Sequence, residues 1–189
     1  MISANALIAL GGNVTSSYGT PGLIIAKSLS ELASEGVTVH AKSQLYKTPC
    51  FPPGAGDDFI NSAAHVAFAG SARELLCVLH RVEARFGRVR NQRWSARTLD
   101  IDLLAVGDEV LPDEQGYHRW RCKSLSEQMN DTPDELILPH PRLHERGFVL
   151  VPLNDLAPDW CHPVLGKTVA EMLAALTAEE LKQIVPHTP

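Results

Sequence analysis

Two aspartates one residue apart, Asp100 and Asp102, lie in the run Thr98-Leu99-Asp100-Ile101-Asp102-Leu103. Side chains alternate faces along a strand, so Leu99, Ile101 and Leu103 share one face and the two carboxylates share the other. Two like charges at that spacing repel each other unless a cation lies between them. Magnesium is a hard ion that takes oxygen ligands, commonly one or two carboxylates together with substrate phosphates. A bare Asp-X-Asp is more often a solvated strand face, so the surroundings decide.

Upstream lies Gly87-Arg88-Val89-Arg90-Asn91-Gln92-Arg93-Trp94-Ser95-Ala96-Arg97, an arginine-rich loop with one tryptophan. The planar guanidinium fork matches phosphate oxygens, and a loop can close over a nucleotide and expel water. Cations, a metal and a polyphosphate are the recurring parts of phosphoryl transfer, where positioning and charge stabilisation dominate. The alternative is an exposed basic loop paired with surface acids. A third cluster, Pro139-His140-Pro141-Arg142-Leu143-His144-Glu145-Arg146-Gly147-Phe148, holds a histidine between two prolines on a stiff segment, within reach of a phosphate or ribose oxygen. A fourth pairs Tyr46-Lys47-Thr48-Pro49 with Phe59-Ile60-Asn61. An aromatic ring beside an amide suits a flat polar heterocycle, although such a phenylalanine is commonly core.

These residues need elements to hold them. Residues 5–10 read as a buried strand ending at Gly11-Gly12-Asn13. Thr20 and Pro21 open a helix that Gly36 closes. Residues 37–46 read as a second strand and 59–68 as a third. Ser71 and Glu74 form a capping box for a helix whose stripe is Leu75, Leu76, Leu79, Val82 and Phe86. The strand at 98–106 carries the aspartates. The order β-α-β-β-α-β predicts a ferredoxin-like α+β sandwich. C-terminal helices are expected near 142–150, 168–176 and 178–185, with an extended polar loop at 109–135.

The chain has 189 residues, enough for one domain with its own core, and residues 1–189 are expected to form a single domain. A net charge of −5 argues against a broad nucleic-acid surface, so any anion site must come from a few local arginines. Cys50, Cys77, Cys122 and Cys161 are too widely spaced for a Cys-X-X-Cys site, and reduced thiols are expected. The N-terminal segment lacks the pattern of a signal peptide or a membrane span, so a cytoplasmic monomer with no membrane partner is expected.

Taken together, the motifs ALGGN at 9–13, YKTP at 46–49, FIN at 59–61, the segment from Glu83 to Leu104 and PHPRLHERGFVLVPL at 139–153 resemble 6-hydroxymethyl-7,8-dihydropterin pyrophosphokinase of folate biosynthesis. The resemblance spans nearly the whole chain in order. It implies transfer of diphosphate from ATP to the hydroxymethyl group of the pterin, with AMP leaving. It implies that Asp100 and Asp102 hold two magnesium ions, and that Arg88 and Arg97 contact phosphates during transfer. Arg90, Leu103, His140 and Arg146 would belong to the ATP side. Thr48, Pro49, Phe59, Asn61 and Phe148 would line the pterin pocket, with the ring between Phe59 and Phe148, and Trp94 would close over the substrates. Gly12, Ala96, Phe59 and His80 depart from common family residues, yet no metal ligand or phosphate arginine is lost. The alternatives are a degenerate, non-catalytic homologue and a ferredoxin-like RNA-binding module; residues 59–68 lack the aromatic motif of the latter. The stretch at 109–135, with Tyr117, Arg119, Trp120 and Arg121, is longer than the family's turn and is expected to lie over the nucleotide as a partial lid.

Overall fold

The computed structural model describes residues 3–50, 56–88, 97–124, 127, 131 and 133–188. Six antiparallel strands form one sheet. They are β1 (Ala4–Gly12), β2 (Thr38–Lys42), β3 (Leu45–Thr48), β4 (Phe59–Phe68), β5 (Asp100–Val106) and β6 (Val185–His187). The order is β5-β1-β4-β3-β6, with β2 also against β4. Helices α1 (Pro21–Ser34) and α2 (Ala72–Arg85) cover one face. Helices α4 (Gly147–Asn154) and α5 (Val169–Ala174) cover part of the other. Between β5 and α4 lie α3 (Glu114–Arg121) and a 3-10 turn (Leu143–Glu145); the short α6 (Ala178–Lys182) precedes β6. This is the expected α+β, ferredoxin-like arrangement with added C-terminal elements.

Because the sheet is covered on both sides, β1 and β4 are largely buried on both faces. Ile8, Leu10, Ile101 and Leu103 pack with Ile24, Leu32, Leu75 and Leu79 in the first core. Leu7, Ala63, Leu104 and Ala105 pack with Leu150, Leu153 and Met172 in the second. Each large side chain removed from water contributes about 1.5–3 kcal/mol. The capping box at Ser71 and Glu74 is present, with the Glu74 N–H donating to Ser71 Oγ at 3.3 Å.

Besides the helix expected near 142–150, which forms at Gly147–Asn154 behind the 3-10 turn, three elements differ from the sequence expectation. The strand expected at 37–46 is two strands, broken at Ser43. That side chain is buried, lies 3.0 Å from Ser62 Oγ, donates to Gln44 O and accepts the Ala63 N–H. A hydroxyl that captures backbone partners in this way interrupts the ladder. The helix expected to reach residue 185 stops at Lys182, and Val185–His187 pairs with β3 instead.

The stretch at 109–135 is the third difference, because it contains α3. Asp113 caps this helix, its carboxylate accepting the Gly116 N–H at 2.7 Å. Tyr117 and His162, both fully buried, meet at 3.0 Å between the hydroxyl and Nε2. His162 Nδ1 accepts the N–H groups of Val164 and Leu165, so Nε2 carries the hydrogen that Tyr117 accepts. The ends of the stretch are drawn together where Leu111 and Leu138 exchange backbone hydrogen bonds. Trp120, expected to cover apolar surface or adenine, has the Lys123 ammonium 4.1 Å from its ring centroid. The insertion is thus fastened into the fold through Tyr117, and deleting residues 116–131 removes a core side chain.

Burial, with His144 and Arg121 nearby, pushes the pKa of His162 down to about 4. In the unfolded chain a histidine titrates near 6.5, so below that pH the unfolded state takes up a proton that the folded state refuses. Stability is therefore full above pH 6.5 and should fall by about 3 kcal/mol as the pH drops towards 4. Urea unfolding of the wild type and His162→Gln at pH 7 and pH 4.5 checks this. The acid-induced loss should shrink in the variant, and equal losses in both would remove His162 as its source.

All four cysteines are free thiols, with Cys50 buried and the others exposed. Among the described residues no helix is long and apolar enough to cross a membrane.

Candidate functional site

Cross-strand register builds the site. Tyr46 on β3 pairs with Asn61 on β4, Asn61 with Gly11 on β1, and Gly11 with Asp100 on β5. Paired residues share a face, so these four form one row across the sheet. The next row along β1 and β5 pairs Ala9 with Asp102. Both aspartates therefore project from the face partly covered by α4 and α5, while Ile101 and Leu103 enter the opposite core, as the alternation predicts.

A bulge supports this phase. Ile8 pairs with Leu103 but Leu7 pairs with Ala105, leaving Leu104 unopposed. Leu104 and Ala105 both enter the second core, and Val106 returns to the first. The extra residue lets β5 aim acids at the open end of one face and apolar side chains at its covered end.

Asp100 is tightly held. Arg88 pairs with its Oδ1, Arg97 donates to its Oδ2, and Arg88 also pairs with Glu83. Oδ1 is buried and makes no hydrogen bond of good geometry; among the described residues it has the Arg88 ion pair. Asp102 is looser, with Arg146 at 3.5 Å from Oδ2 and 37% of its side chain exposed. Arg88 and Arg97 are thus brought together on Asp100, and Arg146 beside Asp102. Arg90 and Trp94 lie outside the described residues.

Asn13 positions Arg97. Its Oδ1 accepts the Arg97 N–H at 2.9 Å, its own N–H donates to Arg97 O at 2.9 Å, and its Nδ2 donates to Asp57 O at 3.0 Å. One buried amide therefore ties the end of the arginine loop to the segment before β4. ALGGN carried this residue in the sequence, but nothing in the motif marked it as a clamp.

The side of the row away from Asp100 is equally specific. Asn61 Nδ2 donates to Thr48 Oγ1 at 2.8 Å, both residues being buried. That bond turns Asn61 Oδ1 over Gly11, where a Cβ would approach it to 2.7 Å. Gly11 thus keeps an open lane between Asn61 and Asp100, two strand spacings or about 10 Å wide. Phe59 pairs with Thr48 and shares the face of Asn61; Pro49 follows Thr48 directly. Tyr46 is fixed beneath by donating to Asp155 at 2.9 and 3.0 Å. Gly11→Ala should force Asn61 to rotate off Thr48 and raise the KM for the heterocyclic substrate about tenfold, the equivalent of one hydrogen bond. Steady-state titration of each substrate checks this; an unchanged heterocycle KM would show the lane is not used.

On the remaining side, His140 donates its backbone N–H to Leu104 O at 2.7 Å and accepts the Arg142 N–H on Nδ1 at 3.2 Å. Burial, then the neighbouring Arg146 and Arg142, holds its pKa well below the usual histidine value. It is a neutral imidazole offering Nε2–H as a donor. Arg146 lies over the Phe148 ring at 5.7 Å, and Phe148 is 40% exposed. Leu103 is different: its side chain is buried in the first core, facing away from the aspartates, so only its backbone faces the site's strand edge.

Two carboxylates on one face suit a hard divalent cation. Among the described residues no group of three or more acidic, histidine or cysteine side chains could hold one alone. The donor set therefore fits an ion completed by substrate phosphates.

A family model described as 7,8-dihydro-6-hydroxymethylpterin-pyrophosphokinase matches residues 7–158. The chain belongs to the 7,8-dihydro-6-hydroxymethylpterin-pyrophosphokinase family. Among curated relatives, a 2-amino-4-hydroxy-6-hydroxymethyldihydropteridine pyrophosphokinase of Methylorubrum extorquens is 33% identical, over 95% of this chain and 98% of that protein. One of Synechocystis is 31% identical, over 96% of this chain and 80% of that protein. Among solved structures, the HPPK-DHPS protein of Plasmodium falciparum shares the fold with a TM-score of 0.63 at 16% identity. The match covers 96% of this pyrophosphokinase-family chain but only 45% of that longer one.

Proposed function

We propose that this chain transfers diphosphate from ATP to the hydroxymethyl group of 6-hydroxymethyl-7,8-dihydropterin, releasing AMP, in folate biosynthesis. The observation that carries the reading is the row Asn61–Gly11–Asp100, which sets a buried amide, across a residue without a side chain, beside a carboxylate pair contacted by arginines.

Asn61 Oδ1 accepts from the amide and amine edge of the pterin, and Phe59 and Phe148 flank its ring. Thr48 and Pro49 close the edge of that pocket. The hydroxymethyl group then extends along Gly11 towards Asp100. Asp100 and Asp102 would hold two magnesium ions, which would supply charge neutralisation on the triphosphate. As phosphate arrives, Arg97 and Arg88 exchange Asp100 for phosphate oxygens, so their charge is never left bare. His140 Nε2–H and Arg146 bind the nucleotide, joined by Arg90 and the backbone of Leu103; Trp94 closes the loop over both substrates. The hydroxymethyl oxygen forms a bond to the β-phosphorus, the bond from that phosphorus to the α–β bridging oxygen breaks, and its electron pair leaves with AMP. Asp102, the less constrained carboxylate, takes the hydroxyl proton on Oδ2.

We further assign residues 1–189 to one catalytic domain acting as a monomer in the cytoplasm, on small molecules rather than nucleic acid. Incubation with ATP, magnesium and the hydroxymethyl-dihydropterin, followed by nucleotide chromatography, tests the reaction. AMP in equal yield with pterin diphosphate is expected; ADP would indicate an ordinary kinase, and neither nucleotide would indicate a binding protein.

A further inference from the structure

Glu83 is the one buried acidic side chain among the described residues, 1% exposed. It lies in the last turn of α2, between Val82 and the apolar Phe86. Burying a carboxylate is costly unless it is paired and hydrogen-bonded. Its Oε1 accepts the Ile101 N–H at 2.7 Å and pairs with Arg88, which in turn pairs with Asp100.

The geometry of the first bond matters because β5 is the outermost strand of the sheet. Among the described residues, one row of its amides has no neighbouring strand to bond. Ile101 is the residue between the two aspartates, so fixing its peptide fixes the direction in which both carboxylates leave the strand. The second contact makes a chain of alternating charge, Glu83–Arg88–Asp100. When Asp100 turns to other partners, Arg88 keeps Glu83 as a counter-ion and stays over the site.

We propose that Glu83 is a positioning residue for pyrophosphoryl transfer, holding the aspartate strand through Ile101 and holding Arg88 for the phosphates. The proposal rests on the reaction assigned above, but its first test does not depend on that reaction. Amide hydrogen exchange at Ile101 is read by NMR in the ligand-free wild type, Glu83→Gln and Glu83→Ala, with melting temperature as a check of folding. A glutamine still offers an oxygen to the Ile101 N–H but cannot neutralise Arg88. Ile101 should stay protected in Glu83→Gln and exchange at least about tenfold faster in Glu83→Ala. Turnover should fall about tenfold in Glu83→Gln and about a hundredfold in Glu83→Ala, with the pterin KM within about twofold of wild type. A purely structural role would lower melting temperature without this split between kcat and KM. Unchanged protection of Ile101 in Glu83→Ala, or a loss confined to KM, overturns the proposal. If Glu83→Ala does not fold, wild-type turnover in Glu83→Gln overturns it alone. If the wild type yields no AMP, the reaction assignment fails, while the exchange result still judges the role of Glu83 in setting the strand.

Discussion

Replacing Asp100 or Asp102 by asparagine is expected to leave the protein folded and to cut turnover by on the order of 10²–10³, the usual cost of losing a preorganised electrostatic group. Both side chains lie at the open end of their sheet face and neither contributes to an apolar core, so the loss should appear in kcat rather than in stability. The two should differ in the ligand-free state. Asp100→Asn strips Arg88 and Arg97 of a charged partner, whereas Asp102→Asn releases only the 3.5 Å contact of Arg146. Circular dichroism melts beside steady-state rates at saturating magnesium separate the effects. Near-normal turnover in either variant would remove that residue from the metal site.

The second large effect is expected at the arginines. Arg97→Ala and Arg88→Ala should each lower turnover by about 10², while the Kd for pterin with an unreactive ATP analogue changes by no more than a few fold. The reason is spatial: both guanidinium groups are on the Asp100 side of Gly11, and Asn61, Thr48 and Phe59, proposed above to face the pterin, are on the other. Isothermal titration calorimetry beside single-turnover rates checks this. Weakened pterin binding with an unchanged rate at saturation would move these arginines to the pterin side.

What was legible in the sequence followed from short periods. Asp100 and Asp102 could be placed on one face because a strand repeats every two residues, and Leu99, Ile101 and Leu103 confirmed the phase by packing opposite. The Ser71 and Glu74 cap could be read because its partners are three residues apart. What stayed hidden depended on distant partners. Ser43 breaks a strand only because Ser62 and Ala63 are beside it. Glu83 stands outside the apolar stripe of its helix, and the adjacent edge of β5 is what gives its buried carboxylate a partner. Asn13 joins residues 57 and 97, and no local spacing shows that. Helix α3 was masked by its polar composition, although Asp113 was a usable start signal and Tyr117 is the residue that docks it.

The unopposed Leu104 sets limits on how this strand can vary. A strand without a bulge has a single parity, and any gain or loss of one residue flips every side chain beyond it. Here the parity already changes once, between the acid-bearing end and the end that seals the second core. Losing Leu104 would erase the bulge and leave every other pair with β1 as it is, with Ala105 still in the second core and Val106 still in the first, so that only the Leu104 side chain would be missing from the second core. Substitutions along β5 are thus judged one side chain at a time, whereas losing a paired residue acts like a frameshift and losing the unopposed Leu104 does not. Variation in length is far cheaper just beyond Val106, where the chain leaves the sheet and the insertion begins.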